Sequence, residues 1–212
     1  MKRSPHSPWL EISLDDYERH MSATSVAQSS LLADTLRLLV ERYRPASLAL
    51  LGSAGGNGLE CIDPLVTRRV VAVDINAAFL EACAARYAKR FDKLEPVNCD
   101  LSGGPPFTDP VELSVAFLVI EYVELDSFLD YAPSLVTKDG RIAFVFQNYD
   151  GRDSVVTDSG VLSVQALGRV HTPVDVVQVM DVLQSRGMVA EDRRVVASAP
   201  GKSFTLLVMA KH

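Results

Sequence analysis

The chain has 212 residues, of which 27 are acidic and 21 basic, for a formal net charge of −6, with 48% hydrophobic and 23% charged residues. Those proportions exclude a chain disordered throughout and fit one globular domain long enough to bury its own core. No apolar run approaches the length of a membrane-crossing helix, and no basic run exceeds two residues, so neither a bilayer nor a nucleic-acid backbone is expected as a partner.

Residues 1–24 read as an arm. Met1-Lys2-Arg3-Ser4-Pro5-His6 lacks the apolar run of a signal peptide, so a cytoplasmic protein is expected. Pro5, Pro8 and Trp9 mark irregular chain, and Ser13-Leu14-Asp15-Asp16 caps a short helix reaching about Met21. Trp9, Leu10, Tyr17 and Met21 give the arm more apolar surface than a solvated tail needs, which predicts a lid. From Ser25 to Arg42 apolar residues recur at helical spacing, and Pro45 stops that helix.

After Pro45 the texture changes to short apolar runs alternating with helical segments. Strands are predicted at Ser47–Leu51, Arg69–Val73, Leu94–Asn98, Leu113–Ile120 and Arg141–Phe146, with helices at 58–63, 77–90, 125–136 and 173–186. Runs buried on both faces and alternating with helices specify a parallel sheet. The last two strands, Val189–Ala197 and Ser203–Ala210, are joined only by Ser198 to Lys202, too short for a parallel crossover, so they pair antiparallel. Residues 148–172 are the one long stretch without a pattern. Cys61, Cys83 and Cys99 have neither disulfide-framework nor metal-knuckle spacing and are expected to be reduced, with no metal bound.

Three strand ends carry the chemistry. Leu48-Ala49-Leu50-Leu51 runs into Gly52-Ser53-Ala54-Gly55-Gly56-Asn57-Gly58, four glycines in seven positions, followed by a predicted helix. Glycine permits positive φ and close approach of a ligand, and a helix start offers unpaired N–H groups. The second strand ends in Asp74-Ile75-Asn76, placing an acid 22 residues after Gly52, where a ribose is gripped by its hydroxyls. The third ends in Asn98-Cys99-Asp100-Leu101, where Asp100 can accept from an exocyclic amine and the Leu101 N–H can serve a ring nitrogen. His171 and His20 are the histidines away from the termini able to act as a general base near neutrality. Tyr17, Met21, Tyr122, Gln147, Asn148 and Tyr149 are pocket candidates by position.

From about Ser25 to His212 these features resemble the class I S-adenosylmethionine-dependent methyltransferases, with a likeness to the type 11 and type 12 groups. The resemblance rests on the glycine loop, Asp74, the Asp100-Leu101 pair, the segment Val119-Ile120-Glu121-Tyr122-Val123-Glu124 and the closing hairpin. It implies a three-layer α/β/α Rossmann-like fold whose seventh strand runs antiparallel, in a domain covering 25–212. It further implies S-adenosyl-L-methionine as cofactor, with Gly52, Ser53, Gly55 and Gly56 facing its methionine part, Asp74 the ribose and Asp100 the adenine, and with Ala54, Ile75 and Leu101 beside them among the cofactor-binding residues. Two positions depart from the family pattern. Leu50 stands where an acid usually precedes the loop, and Ala54 replaces the central glycine. Another acid is then expected to hold the methionine amino group, with Glu121 or Glu60 as candidates.

The Asn-Pro-Pro-aromatic motif for nitrogens of nucleobases and amides is missing after the fourth strand, where Ile120-Glu121-Tyr122 stands. An enclosed small-molecule acceptor is therefore expected, reached near Glu121, Tyr122, Asn148, Tyr149 and His171, with His171 and Tyr122 the catalytic candidates, in a monomer or homodimer. Two other readings remain open: a non-catalytic cofactor-binding module of the same fold, and an NAD(P)-dependent oxidoreductase.

Overall fold

Side-chain alternation in the strands sorts the apolar residues into two cores, and the helices follow. The structure, a computed structural model, describes residues 7–148, 155–199 and 202–212. Strands β1 (Ser47–Leu51), β2 (Arg69–Asp74), β3 (Lys93–Asn98), β4 (Val111–Phe117), β5 (Val136–Gln147), β6 (Met188–Ala199) and β7 (Lys202–Lys211) form one seven-stranded sheet in the order β3-β2-β1-β4-β5-β7-β6. β1 to β5 are parallel, and β7 lies antiparallel between β5 and β6. Leu48 and Leu50 pack with α2 (Gln28–Tyr43) and α3 (Ala77–Tyr87) on one face. Ala49 and Leu51 pack with α4 (Leu125–Tyr131) and α5 (Val176–Ser185) on the other, giving three layers.

The parallel ladders align the strand ends. Leu51 is level with Val73 and with Ala116, and Asp74 with Asn98, so the chain leaves β1, β2, β3 and β4 along one edge of the sheet. What each strand does on leaving decides the site.

Several expected boundaries move, each for a local reason. The helix predicted over 58–63 is only a 3-10 turn, Leu59–Cys61, because Gly58 at φ +95 and Ile62 in extended conformation close it at both ends. β3 is an edge strand, half-exposed along its length, and not the doubly buried run its residues suggested; Pro96 within it, lacking an N–H to give to a ladder, fits an edge. β4 ends at Phe117, three residues early, where Leu118 turns to φ +53. The helix expected over 125–136 stops at Tyr131, and Pro133 lies in the 3-10 turn that follows. α5 begins at Val176, not near Pro173, where the Asp175 carboxylate accepts from Val177 N at 2.8 Å.

A third apolar cluster lies off the sheet. Ile12 of the arm and Phe79 of α3 gather Val156, Val161, Val164 and Leu167 of the insert after β5, with Trp9, Tyr17 and Tyr122 packed against them. Polar contacts join the same segments: α1 (Leu14–Ser22) supplies Asp16, which accepts from Ser163 Oγ at 2.7 Å, and His20, whose Nδ1 is 2.7 Å from Ser159 Oγ. Arm and insert thus form one cap beside the strand ends.

Candidate functional site

Gly52 follows β1 at φ +73, and a Cβ there would fall 2.8 Å from Val119 Cγ2, so only glycine fits this turn beside the β4 exit. The N–H groups of Gly52 and Ser53 both donate to Val73 O at 2.9 Å, which folds the loop over the end of β2. Ala54, also in the left-handed region at φ +46, donates its N–H to Asp74 Oδ2 at 2.8 Å, while Asn76 N donates to Oδ1 at 2.9 Å. Asp74 is 9% exposed; burial raises its carboxyl above the usual range, and these backbone donors oppose that rise. Asn76 caps α3 through Ala78 N at 3.0 Å and donates its side-chain amide to Trp9 O at 2.9 Å. One residue therefore fixes both the helix start and the arm above it.

Between these elements lies a cavity of about 600 Å³, lined by Gly52 and Ala54 of the loop, Asp74 and Ile75, Asp100 and Leu101, and Tyr122. Trp9 and Tyr17 of the arm line it as well. Asp100 caps a 3-10 turn, its Oδ1 accepting from Ser102 N at 2.9 Å, and Leu101 is buried, its carbonyl accepting from the Tyr131 hydroxyl at 2.5 Å. Among the described lining residues the charged side chains are Asp74, Asp100 and Glu124, all acidic, with no lysine or arginine. The volume suits a small-molecule ligand and the charge suits a cationic one.

The structure separates other expected residues from this cavity. Gly55 and Gly56 serve packing: added Cβ atoms would fall 2.6 Å from Arg86 Nη1 and 2.8 Å from Cys83 Sγ, so both glycines let α1 and α3 close on the loop. Ser53 faces a chamber of about 50 Å³ beneath the loop, together with Leu50, and not the large cavity. Glu60 turns away altogether, its Oε2 accepting from Gly58 N at 3.0 Å and from the Tyr87 hydroxyl at 3.1 Å. Asn148 is tied to β7 through Ser203 and Thr205. Tyr149 lies outside the described residues.

Glu121 does not line the large cavity either; it faces a second chamber of about 50 Å³ behind Tyr122, shared with His20, Met21, Gln28, Gln147 and His171. β4 ends before it, and the 3-10 turn Ile120–Tyr122 points it inward, 2% exposed. Its Oε1 accepts from Gln147 N at 3.2 Å, and its Oε2 has no hydrogen-bond partner among the described residues. Leaving such an oxygen bare costs about 1–3 kcal/mol. Burial pushes the carboxyl up to about 7, against the Gln147 and Glu121 N–H groups that favour its charged form. His171 stands edge-on to Tyr122, ring centres 5.2 Å apart, and burial lowers its pKa, so it is neutral at pH 7. Phe79, Leu118 and Gln28 were not anticipated. Each looks like ordinary core or helix in one dimension, and only the arm's return across α3 brings Phe79 to the cavity.

No protein-family profile matches the chain, and no curated protein is found similar to it. Solved structures do match. Magnesium protoporphyrin IX methyltransferase ChlM from Synechocystis PCC 6803, with bound S-adenosylmethionine, superposes at a TM-score of 0.70 with 10% identity over 100% of both chains. N-methyltransferase NodS from Bradyrhizobium japonicum WM9, in complex with S-adenosylhomocysteine, gives 0.66 with 16% identity over 93% of this chain and 97% of that one. The fold is that of the class I methyltransferases. The [4+2]-cyclase SpnF shares it at a TM-score of 0.64 and 13% identity, over 84% of this chain and 80% of its own, so this fold also carries a reaction of another kind. Within the methyltransferase fold, the inserted antiparallel β7 sets the sheet apart from the dinucleotide-binding order 3-2-1-4-5-6.

Proposed function

We propose that the protein is an S-adenosylmethionine-dependent methyltransferase acting on a small-molecule acceptor. The observation that carries this reading is the convergence of Gly52 and Ala54, Asp74 with Ile75, and Asp100 with Leu101 on one acidic cavity of about 600 Å³. Each Asp74 oxygen already accepts one backbone N–H and keeps a lone pair for a ribose hydroxyl. Asp100 Oδ1 serves Ser102 N, leaving Oδ2 for an exocyclic amine. The surplus of acids suits a ligand bearing a sulfonium charge. When bound, the cofactor supplies an electrophilic methyl group whose sulfur leaves with the bonding electron pair. The chain's task is then to position the acceptor in line with that group and exclude water, which is where much of the acceleration in such displacements arises. Trp9, Tyr17 and Tyr122 form the wall that does both, with the arm acting as lid; Tyr122 of the two catalytic candidates lines the cavity, while His171 stands behind it in the small chamber.

The oxidoreductase reading loses support because the glycine loop leads into a three-residue turn and not a helix whose N-terminus would receive a pyrophosphate. One observation favours the non-catalytic module: Leu50, in place of the usual acid, is buried in the core and offers nothing to a methionine amino group. Product formation separates the two. Purified protein with methyl-labelled S-adenosylmethionine and cell extract is expected to label the low-molecular-weight fraction. Label confined to nucleic acid or protein would overturn the acceptor class, and cofactor binding without label anywhere would favour the module.

A further inference from the structure

Trp9, Tyr17, Leu118 and Tyr122 line both the large cavity and the chamber containing Glu121, so they form the partition between the two. The chamber sets the polar side chains of Glu121, Gln28 and Gln147 among apolar walls. Gln147 spans it with both ends of its amide committed: its Oε1 accepts from Gln28 Nε2 at 3.3 Å, and its Nε2 donates to Val155 O at 3.1 Å. Its backbone N–H already serves Glu121 Oε1 at 3.2 Å, and neither its side-chain amide nor that of Gln28, each with a second N–H, reaches Oε2. That carboxylate oxygen therefore faces a space of about 50 Å³, enough for a few non-hydrogen atoms, and lacks a donor.

The partition is aromatic. Trp9 and Tyr122 meet edge to face with ring centres 5.1 Å apart, and Trp9 and Tyr17 at 5.9 Å. Aromatic faces beside a carboxylate attract an organic cation, the rings by their quadrupole and the carboxylate by charge-assisted hydrogen bonds. An ammonium brings three donors, whereas a hydroxyl brings one. The charged side chains of the adjoining cavity, all acidic among the described residues, add a field of the same sense.

We propose that this chamber receives the ammonium end of an amine-bearing acceptor, bound on Glu121 with its alkyl stem passing the Trp9–Tyr122 partition. This deepens the methyltransferase reading and rests on it for the word acceptor; the recognition of an ammonium stands on the chamber alone. Among the described residues, the titratable groups facing the chamber are Tyr17 and His20 from α1, Glu121 and Tyr122 beyond β4, and His171 ahead of α5. Tyr17 is held neutral by its burial and by the nearby Asp74 and Glu18, and His171 by its burial. Burial keeps Glu121 partly protonated near pH 7, so an arriving ammonium ionises it and expels a proton.

Calorimetric titration with n-butylammonium, and with n-butanol as its neutral counterpart, tests this on the wild-type protein alone, on the protein saturated with S-adenosylhomocysteine, and on Glu121→Gln. The ammonium is expected to bind about tenfold more tightly than the alcohol to the wild type, with that preference lost in the variant. Equal binding of the two probes, or a preference that survives in Glu121→Gln, overturns the proposal. Should the variant not fold, the wild type decides: in two buffers of different ionisation enthalpy at pH 7, ammonium binding is expected to release a fraction of a proton, and absence of release overturns it. A butylammonium preference in a protein that does not bind S-adenosylhomocysteine would fault the methyltransferase reading and leave the ammonium site standing.

Discussion

On the sheet side of the cavity, Asp74 receives one backbone N–H on each oxygen, from Ala54 at 2.8 Å and Asn76 at 2.9 Å. In the chamber behind Tyr122, toward the arm and insert, Glu121 accepts the Gln147 N–H on Oε1 at 3.2 Å, and its Oε2 has no hydrogen-bond partner among the described residues. Asp74 ends a parallel strand and Glu121 follows one, and burial raises the pKa of both. The difference is what each carboxylate accomplishes before any ligand arrives. Asp74 is part of the backbone's own hydrogen-bonding and holds the glycine loop in place. Glu121 organises little and is kept at a cost in stability, which is the condition of a group reserved for a ligand.

The largest effect expected from that contrast is on stability against pH. A carboxyl raised from 4.5 unfolded to about 7 folded binds its proton more readily in the native state, so its stabilising contribution is complete below about pH 4.5 and is lost as pH rises through 7. Across that window the wild type should lose up to about 3 kcal/mol relative to Glu121→Gln, as read from urea unfolding at pH 5 and pH 8. Parallel pH dependences would place Glu121 in a wetter setting and erase the contrast. Next in size is Asp74→Ala, which strips the loop's acceptor and the proposed ribose contact together. S-adenosylhomocysteine affinity should fall roughly tenfold to a hundredfold, with a lower melting temperature. Affinity unchanged to within twofold would reduce Asp74 to a loop brace.

Smaller effects sharpen the division between packing and binding. Gly55→Ala forces a methyl toward Arg86, Leu14 and Glu18 and should cost about 1–2 kcal/mol of stability while leaving cofactor affinity within about threefold. A large loss of affinity without loss of stability would return Gly55 to the cofactor. Trp9→Ala should weaken S-adenosylhomocysteine only several-fold, while hydrogen exchange of residues 9–24 loses the protection that the ligand confers on the wild-type arm. Exchange in the wild-type arm that ignores the ligand would deny it the role of lid.

The sheet was legible because its signals are local: short apolar runs, and a linker between the last strands too short for a crossover. Asp74, Asp100 and the loop were legible for the same reason, as strand ends followed by turn residues. What escaped depends on contacts far apart in the chain. Gly55 and Gly56 look like ligand-facing glycines until α1 and α3 are seen to close on them. In the sequence Glu121, like Glu60, is a candidate for the methionine contact that Leu50 cannot make. The turn of Leu118 to positive φ, which no local preference of leucine announces, goes with an early exit from β4, and Glu121 lies in the chamber behind Tyr122. The cap was half legible: aromatic residues in the arm hinted at it, but its partner in the insert has no periodicity to read.

The most direct test of the central claim is a crystal structure with S-adenosylhomocysteine. The account predicts its ribose hydroxyls within hydrogen-bond distance of the Asp74 carboxylate, its adenine against Asp100 and Leu101, and its sulfur directed toward the partition of Trp9, Tyr17 and Tyr122. A ligand seated elsewhere, or one in the cavity with its ribose turned away from Asp74, would contradict it.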